Sequence, residues 1–217
     1  MAVSVKICGL GERPALEAAL AGGARFVGFV FYPPSPRSVS HDVAGTLASL
    51  VPPTTERVGV FVDPRDDDLM ATLKRVPLEL IQLHGSESVA RIEAVRALTG
   101  KRVIKAVKVA SAADVAAAAP FTAVADWLLY DAKAPPGQGL GLPGGNALAF
   151  DWTLLAGRAS KGREGWLLSG GLTVDNVRDA IKVAGAPAVD VSSGVERAPG
   201  RKDPALVRAF LAAAQAA

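Results

Sequence analysis

Apolar residues in this chain come in short runs, and each run stops at a turn or a polar residue before a stretch with helical spacing. In the first, Val3, Val5 and Ile7 alternate with Ser4, Lys6 and Cys8 ahead of Gly9, which reads as a strand entering a βα turn. Alternate side chains on a strand share a face, so Lys6 and Cys8 point one way and Val5 and Ile7 the other. The apolar pair suits a sheet covered by helices. A lysine on the opposite face is costly unless paired, which marks that face as the place to look for chemistry.

The same unit returns along the chain. Strands are predicted at residues 25–31, 57–62, 78–83, 102–108, 127–131, 166–170 and 188–192. Helical stretches are predicted at residues 14–21 and 42–50, and from 66–68 onward where three aspartates favour a helix start. Others run from Ser86 and Glu87 to Leu98, after Ser111, from near Asp151, behind residues 173–176, and over residues 203–214. Alternation of this kind means a parallel sheet with helices outside. An open doubly wound sheet competes with a closed barrel. The count of eight strands, the compact units and the absence of a GxGxxG after the first strand favour a (β/α)8 TIM barrel. No linker divides the chain, so one barrel domain over residues 1–217 is expected. The longest irregular stretch, residues 135–146, follows a strand and reads equally well as an active-site loop or a tolerated insertion.

Composition narrows the picture. Half of the 217 residues are apolar and 21% are charged, the balance of an ordinary globular protein able to bury a core. The net charge of +3 is spread along the chain without a basic stripe or interleaved aromatics, which argues against nucleic acid. One cysteine and two histidines supply neither an internal disulfide nor a metal-ligand spacing, so no metal is expected. No apolar segment approaches the ~20 residues of a membrane helix and no signal-peptide order opens the chain, so the expectation is a cytoplasmic protein with no membrane partner.

In such a barrel the strand C-termini converge on one mouth, where active sites are built. In order they are Cys8, Tyr32, Asp63, His84, Lys108, Asp131, Ser169 with Gly170, and Ser192. The seventh and eighth strands each end in small-residue turns, Ser169-Gly170-Gly171 and Ser192-Ser193-Gly194. Turn glycines alone explain either motif. Both at the strand ends that usually cradle phosphate predict a phosphorylated substrate.

A lone cysteine such as Cys8 is more often a small buried hydrophobe, and as a base it needs a nearby cation, which Lys6 can supply. Asp131 serves equally as a loop-ordering carboxylate or as an acid. A thiolate and a carboxylic acid on opposite sides of an anchored ligand suit proton movement within a sugar. Arg37 is a solvated arginine or a bidentate carboxylate partner. His84 is a core histidine or a substrate contact, and His41 belongs to a helix start. Asp190 shares a strand face with Ser192, and closing the eighth strand on the first would pair it with Lys6 or leave it for a sugar hydroxyl.

Eight motifs in this order resemble the phosphoribosylanthranilate isomerase family over essentially the whole chain. They are Lys6-Ile-Cys-Gly-Leu10, residues 28–38 with Arg37, Val58-Gly-Val-Phe-Val62, Ile81-Gln-Leu-His84-Gly85, Leu129-Tyr-Asp131, Gly144-Gly-Asn146 with Phe150-Asp-Trp152, Leu168-Ser-Gly-Gly-Leu172 and Val189-Asp-Val-Ser-Ser-Gly-Val-Glu196. The resemblance implies an aldose-to-ketose isomerase of tryptophan biosynthesis performing an Amadori rearrangement, the third step from chorismate. It implies Cys8 as general base, Asp131 as general acid, and Arg37 as partner of the anthranilate carboxylate. His84 and Asp190 would lie near the substrate, with Gly170, Gly171, Ser192, Ser193 and Gly194 around its phosphate. It implies no metal or organic cofactor, a small phosphosugar as the ligand, and a monomer or homodimer.

The chain departs from the family pattern twice. Gly11 stands where a helix-capping Thr is usual, with Pro14-Ala15 where an Asp follows, weakening the first helix start by about 1 kcal/mol. Ala147 stands where the loop before Phe150 usually carries a second glycine, so that loop would close differently if a positive φ is needed. The rivals are another phosphosugar barrel, such as an indole-glycerol-phosphate synthase or a pentose-phosphate epimerase, and a noncatalytic phosphate-binding barrel. The synthase would want a lysine acid and the epimerase a metal-binding set, and neither is present.

Overall fold

A computed structural model describes residues 3–133, 149–157, 159 and 161–217. Eight parallel strands close into a barrel in the order β1 (Ser4–Cys8), β2 (Phe26–Val30), β3 (Glu56–Phe61), β4 (Leu80–Leu83), β5 (Arg102–Val109), β6 (Trp127–Ala132), β7 (Gly165–Leu168) and β8 (Ala188–Val191). The β8 to β1 seam completes the cylinder, with Val5 opposite Val189 and Lys6 opposite Asp190.

Around the strands lie α1 (Arg13–Ala21), α2 (His41–Ala48), α3 (Asp66–Leu73), α4 (Val89–Thr99), α5 (Ala112–Ala116) and α6 (Val177–Ala184). A small hairpin of β9 (Glu196–Ala198) and β10 (Arg201–Lys202) follows β8, and α7 (Pro204–Gln215) ends the chain against α1.

Strand alternation divides the core. Val5, Ile7, Val27, Phe29, Val103, Leu128 and Val189 face outward into one buried cluster with the apolar helix sides. Inward residues near the strand N-termini, among them Phe26, Val58, Leu80, Ile104, Trp127 and Leu167, make a second layer. Cys8, Val30 and Val60 form a third near the C-termini. Lys6 and Cys8 therefore point into the barrel, as the alternation predicts.

Below the inner layers, Arg102 pairs with Glu56 and Glu164, and Trp127 Nε1 donates to Glu164 Oε2 at 2.8 Å. Arg25 lies 5.0 Å from the Phe26 ring centroid. The N-terminal end of the barrel is thus closed by ion pairs and rings, which suits a face devoted to stability.

Two helix expectations are corrected. The helix after β4 starts at Val89, with Ser88 Oγ accepting from Arg91 N, because Glu87 turns inward instead of opening it. Near Asp151 there is only a 3-10 turn, Trp152–Leu154, capped by the Asp151 carboxylate, so seven α-helices surround the strands among the described residues. The start of α1 lacks a side-chain cap, as Gly11 implies: Glu12 stands at the N-cap without such a bond, and Pro14 occupies the first turn. Ala147, the Gly144-Gly-Asn146 motif and residues 135–146 lie outside the described residues.

Candidate active site

β1 brings Lys6 and Cys8 to the barrel interior, and β2 makes room for them with Gly28. A Cβ on Gly28 would sit 3.2 Å from both Lys6 Nζ and Cys8 Sγ, so the glycine is what lets the lysine and the thiol lie together beside this strand. Lys6 is fully buried, and its Nζ donates to Asp190 Oδ1 at 2.8 Å across the β1–β8 seam. Ser169 Oγ donates to the other carboxylate oxygen at 3.2 Å. Of the two roles open to Asp190, the structure shows the pairing with Lys6; its side chain is 5% exposed.

The charges follow from this burial. Burial alone would push the Lys6 ammonium down, but the Asp190 carboxylate outweighs it and holds Lys6 above its ordinary value. Burial pushes the Cys8 thiol up, and Lys6 opposes this without cancelling it. The substrate-free site therefore holds a protonated thiol next to a cation ready to stabilise its thiolate.

Asp131 ends β6 on the inward face, 5% exposed. Its Oδ2 lies 3.1 Å from His84 Nε2, and His84 Nδ1 lies 2.8 Å from Gln82 Nε2 on the same strand face of β4. Asp131 Oδ1 accepts from Ala132 N at 3.0 Å. His84 is thus tied to Asp131, a contact the sequence did not suggest.

Gly170 and Gly171 carry φ of +86° and +62°, values that favour glycine. A Cβ on Gly170 would come within 2.6 Å of Ala132 N and 3.2 Å of Asp131 Oδ1, so the β7 turn abuts the carboxylate directly. A Cβ on Gly194 would overlap the Leu172 carbonyl, so the β7 and β8 turns interlock. Ser192 and Ser193 stand at the start of the 3-10 turn Ser193–Val195, and Ser192 Oγ donates to the Cys8 carbonyl at 3.2 Å.

Arg37 is buried, and its fork is engaged: Nε donates to Glu196 Oε1 at 2.8 Å and Nη2 to Oε2 at 2.9 Å. Lys202 Nζ donates to the same Oε1 at 2.6 Å and to the Ser192 carbonyl at 3.0 Å. Burial would push Glu196 up, yet Arg37 and Lys202 together hold it below the usual carboxylate range. Burial pushes Lys202 down despite its partner. One carboxylate in the β9–β10 hairpin therefore joins the loop after β2 to the loop after β8.

Glu196, Lys202 and Gln82 escaped the sequence reading as members of this network. Gln82 was the most legible, being a polar residue within an apolar strand on the same face as His84. Lys202 offered no signal beyond its place after the last strand.

The model of the N-(5'-phosphoribosyl)anthranilate isomerase family matches residues 5–213. The chain belongs to this family. It is 56% identical to N-(5'-phosphoribosyl)anthranilate isomerase of Paracoccus denitrificans over 216 residues, 100% of this chain and 99% of the relative. The structure of phosphoribosyl anthranilate isomerase from Thermotoga maritima superposes with a TM-score of 0.86 at 36% identity, covering 99% of this chain and 100% of that one. A second structure of such an isomerase, in complex with reduced 1-(o-carboxyphenylamino)-1-deoxyribulose 5-phosphate, gives a TM-score of 0.83 at 34% identity, with coverage of 99% and 100%. Isomerase family and (β/α)8 fold thus agree with the sequence motifs. No helix among the described residues is long and apolar enough to cross a membrane.

Proposed function

We propose that this protein isomerises N-(5-phosphoribosyl)anthranilate to 1-(2-carboxyphenylamino)-1-deoxyribulose 5-phosphate, an aldose-to-ketose conversion in tryptophan biosynthesis. The observation that carries the residue roles is the inward-facing Cys8 on β1, beside the buried Lys6, with Asp131 inward-facing on β6 against the interlocked turns of β7 and β8.

The phosphate binds the turns at Gly170, Gly171, Ser192, Ser193 and Gly194, whose backbone N–H groups suit an anion. Asp131 gives its proton to the ribose ring oxygen as the C1–O bond breaks, and the nitrogen lone pair forms the Schiff base cation. Cys8, whose own proton has first passed to solvent, removes the proton from C2 as a thiolate. The C–H electrons become the C1=C2 bond of the enol-amine and neutralise the nitrogen. Tautomerisation to the ketone returns a proton to C1. Lys6 stabilises the thiolate, and its own partner Asp190 keeps the lysine charged. Arg37, held by Glu196, receives the anthranilate carboxylate. His84 and Asp190, expected near the substrate, also support Asp131 and Lys6 through these bonds.

The reading needs no metal or organic cofactor, since carboxyl and thiol supply the acid and the base. It describes one barrel unit over residues 1–217, working in the cytoplasm on a small phosphosugar as a monomer or homodimer. Cys8→Ala and Asp131→Asn test it, with anthranilate fluorescence followed on freshly made substrate. Turnover falls by at least about a hundredfold in each, with substrate binding largely kept. Unchanged turnover in both variants would remove Cys8 and Asp131 from the chemistry, and no turnover by the unaltered protein would leave a noncatalytic barrel or a different phosphosugar reaction.

A further inference from the structure

Gln82 is completely buried inside the barrel, and its Oε1 has no hydrogen-bond partner among the described residues. Buried polar atoms are almost always satisfied, so an orphan oxygen needs a reason, and the bond made by the amide's other end supplies one. That end, Nε2, lies 2.8 Å from His84 Nδ1. An amide nitrogen only donates, so His84 Nδ1 accepts and carries no proton. The neutral ring then bears its proton on Nε2, which points at Asp131 Oδ2 3.1 Å away. Reversing the amide would satisfy Oε1 with an Nδ1–H, but the Nε2 lone pair would then draw the proton of the Asp131 acid toward His84 and away from the substrate.

We propose that Gln82 is a positioning residue that fixes the Nε2–H tautomer of His84 and thereby supplies Asp131 with a neutral hydrogen-bond donor. This rests on Asp131 acting as the acid. As Asp131 releases its proton to the ring oxygen, negative charge grows on its carboxyl, and the His84 Nε2–H bond strengthens with it. A bond that strengthens toward the transition state raises kcat with little effect on ground-state binding. Being uncharged, the imidazole does this without adding a second cation to the site. Gln82 touches neither substrate nor acid and acts only through His84.

The chain has two histidines, so a protein labelled with 15N-histidine gives a spectrum that His41→Gln assigns by removing one set of signals. At neutral pH and without substrate, His84 shows a protonated Nε2 and an unprotonated Nδ1. Gln82→Met, which keeps the bulk and removes the donor, gives a mixture of tautomers. Its kcat falls about tenfold to a hundredfold, the worth of one hydrogen bond to a charged group, while KM stays within about threefold. A wild-type His84 carrying its proton on Nδ1, or both nitrogens protonated, overturns the inference, whether or not the variant folds. So does a folded Gln82→Met protein that keeps the wild-type tautomer or the wild-type kcat. Asp131→Asn separates this from the underlying reading: full turnover in that variant removes Asp131 as acid, whereas the His84 spectrum is read without turnover.

Discussion

Lys6 Nζ and Asp190 Oδ1 lie 2.8 Å apart across the seam that closes the barrel, with side chains 0% and 5% exposed. A buried pair of this kind contributes little net stability compared with apolar residues of the same bulk, but losing one member leaves a bare charge. Lys6→Met is therefore expected to lower the unfolding free energy by about 3–5 kcal/mol in urea titrations. Lys6→Met combined with Asp190→Leu should recover most of that loss while remaining inactive. Simple additivity of the two substitutions would show that the charges do not depend on each other.

The same pair sets an alkaline limit. Lys6 is held above its ordinary value, so the stability it contributes is complete below the unfolded lysine value of about 10.4 and is lost as pH rises through the folded one. Cys8 is also held up, so above the free thiol value of about 8.5 the unfolded chain releases a proton that the folded one keeps, again favouring unfolding as pH rises. Stability should decline on the alkaline side from about pH 8.5. The alkylation rate of Cys8 by iodoacetamide should rise at higher pH than for a free thiol, and Lys6→Met should shift that profile higher still.

Arg37 presents a fork already oriented by two bonds to Glu196. A lysine at this position keeps the charge but loses the planar geometry that matches a carboxylate. Arg37→Lys should raise KM about tenfold with kcat nearly unchanged, the pattern of a lost binding contact. Glu196→Gln should move KM in the same direction by weakening the bonds that orient the guanidinium. A fall in kcat alone would assign Arg37 to the chemistry instead.

Gly194 packs so closely on the Leu172 carbonyl that any side chain forces the β7 and β8 turns apart. Gly194→Ala should raise KM by at least about tenfold, because the backbone groups proposed to hold the phosphate no longer converge. Gly100 offers the contrast. It ends α4 with φ +64° and has open space where a Cβ would go. Gly100→Ala should cost about 1 kcal/mol of stability and leave KM unchanged.

Strand alternation alone placed Lys6 and Cys8 on the barrel interior, and the small-residue turns after β7 and β8 marked the interlocked rim. Those features are local, with periods of two residues or turns of three, so they survive in a linear reading. What was illegible depends on distant partners. Glu87 looked like a helix-opening acid because nothing nearby in sequence reveals Lys105, whose ammonium takes it at 2.6 Å inside the wall. Arg37 looked like a free carboxylate receptor because Glu196 lies 159 positions away. The helix expected at Asp151 shrank to one turn for a local reason: the Asp151 carboxylate that accepts from Thr153 caps a turn of any length and does not specify how far it continues.

The seam has a consequence for the making of the protein. Lys6 leaves the ribosome 184 positions ahead of Asp190. Until then the lysine has no counter-ion and stays in water, and the sulfhydryl is an ordinary one. The pair can form only once the eighth strand has emerged and closed on the first, so any chemistry that depends on it certifies that the cylinder has shut.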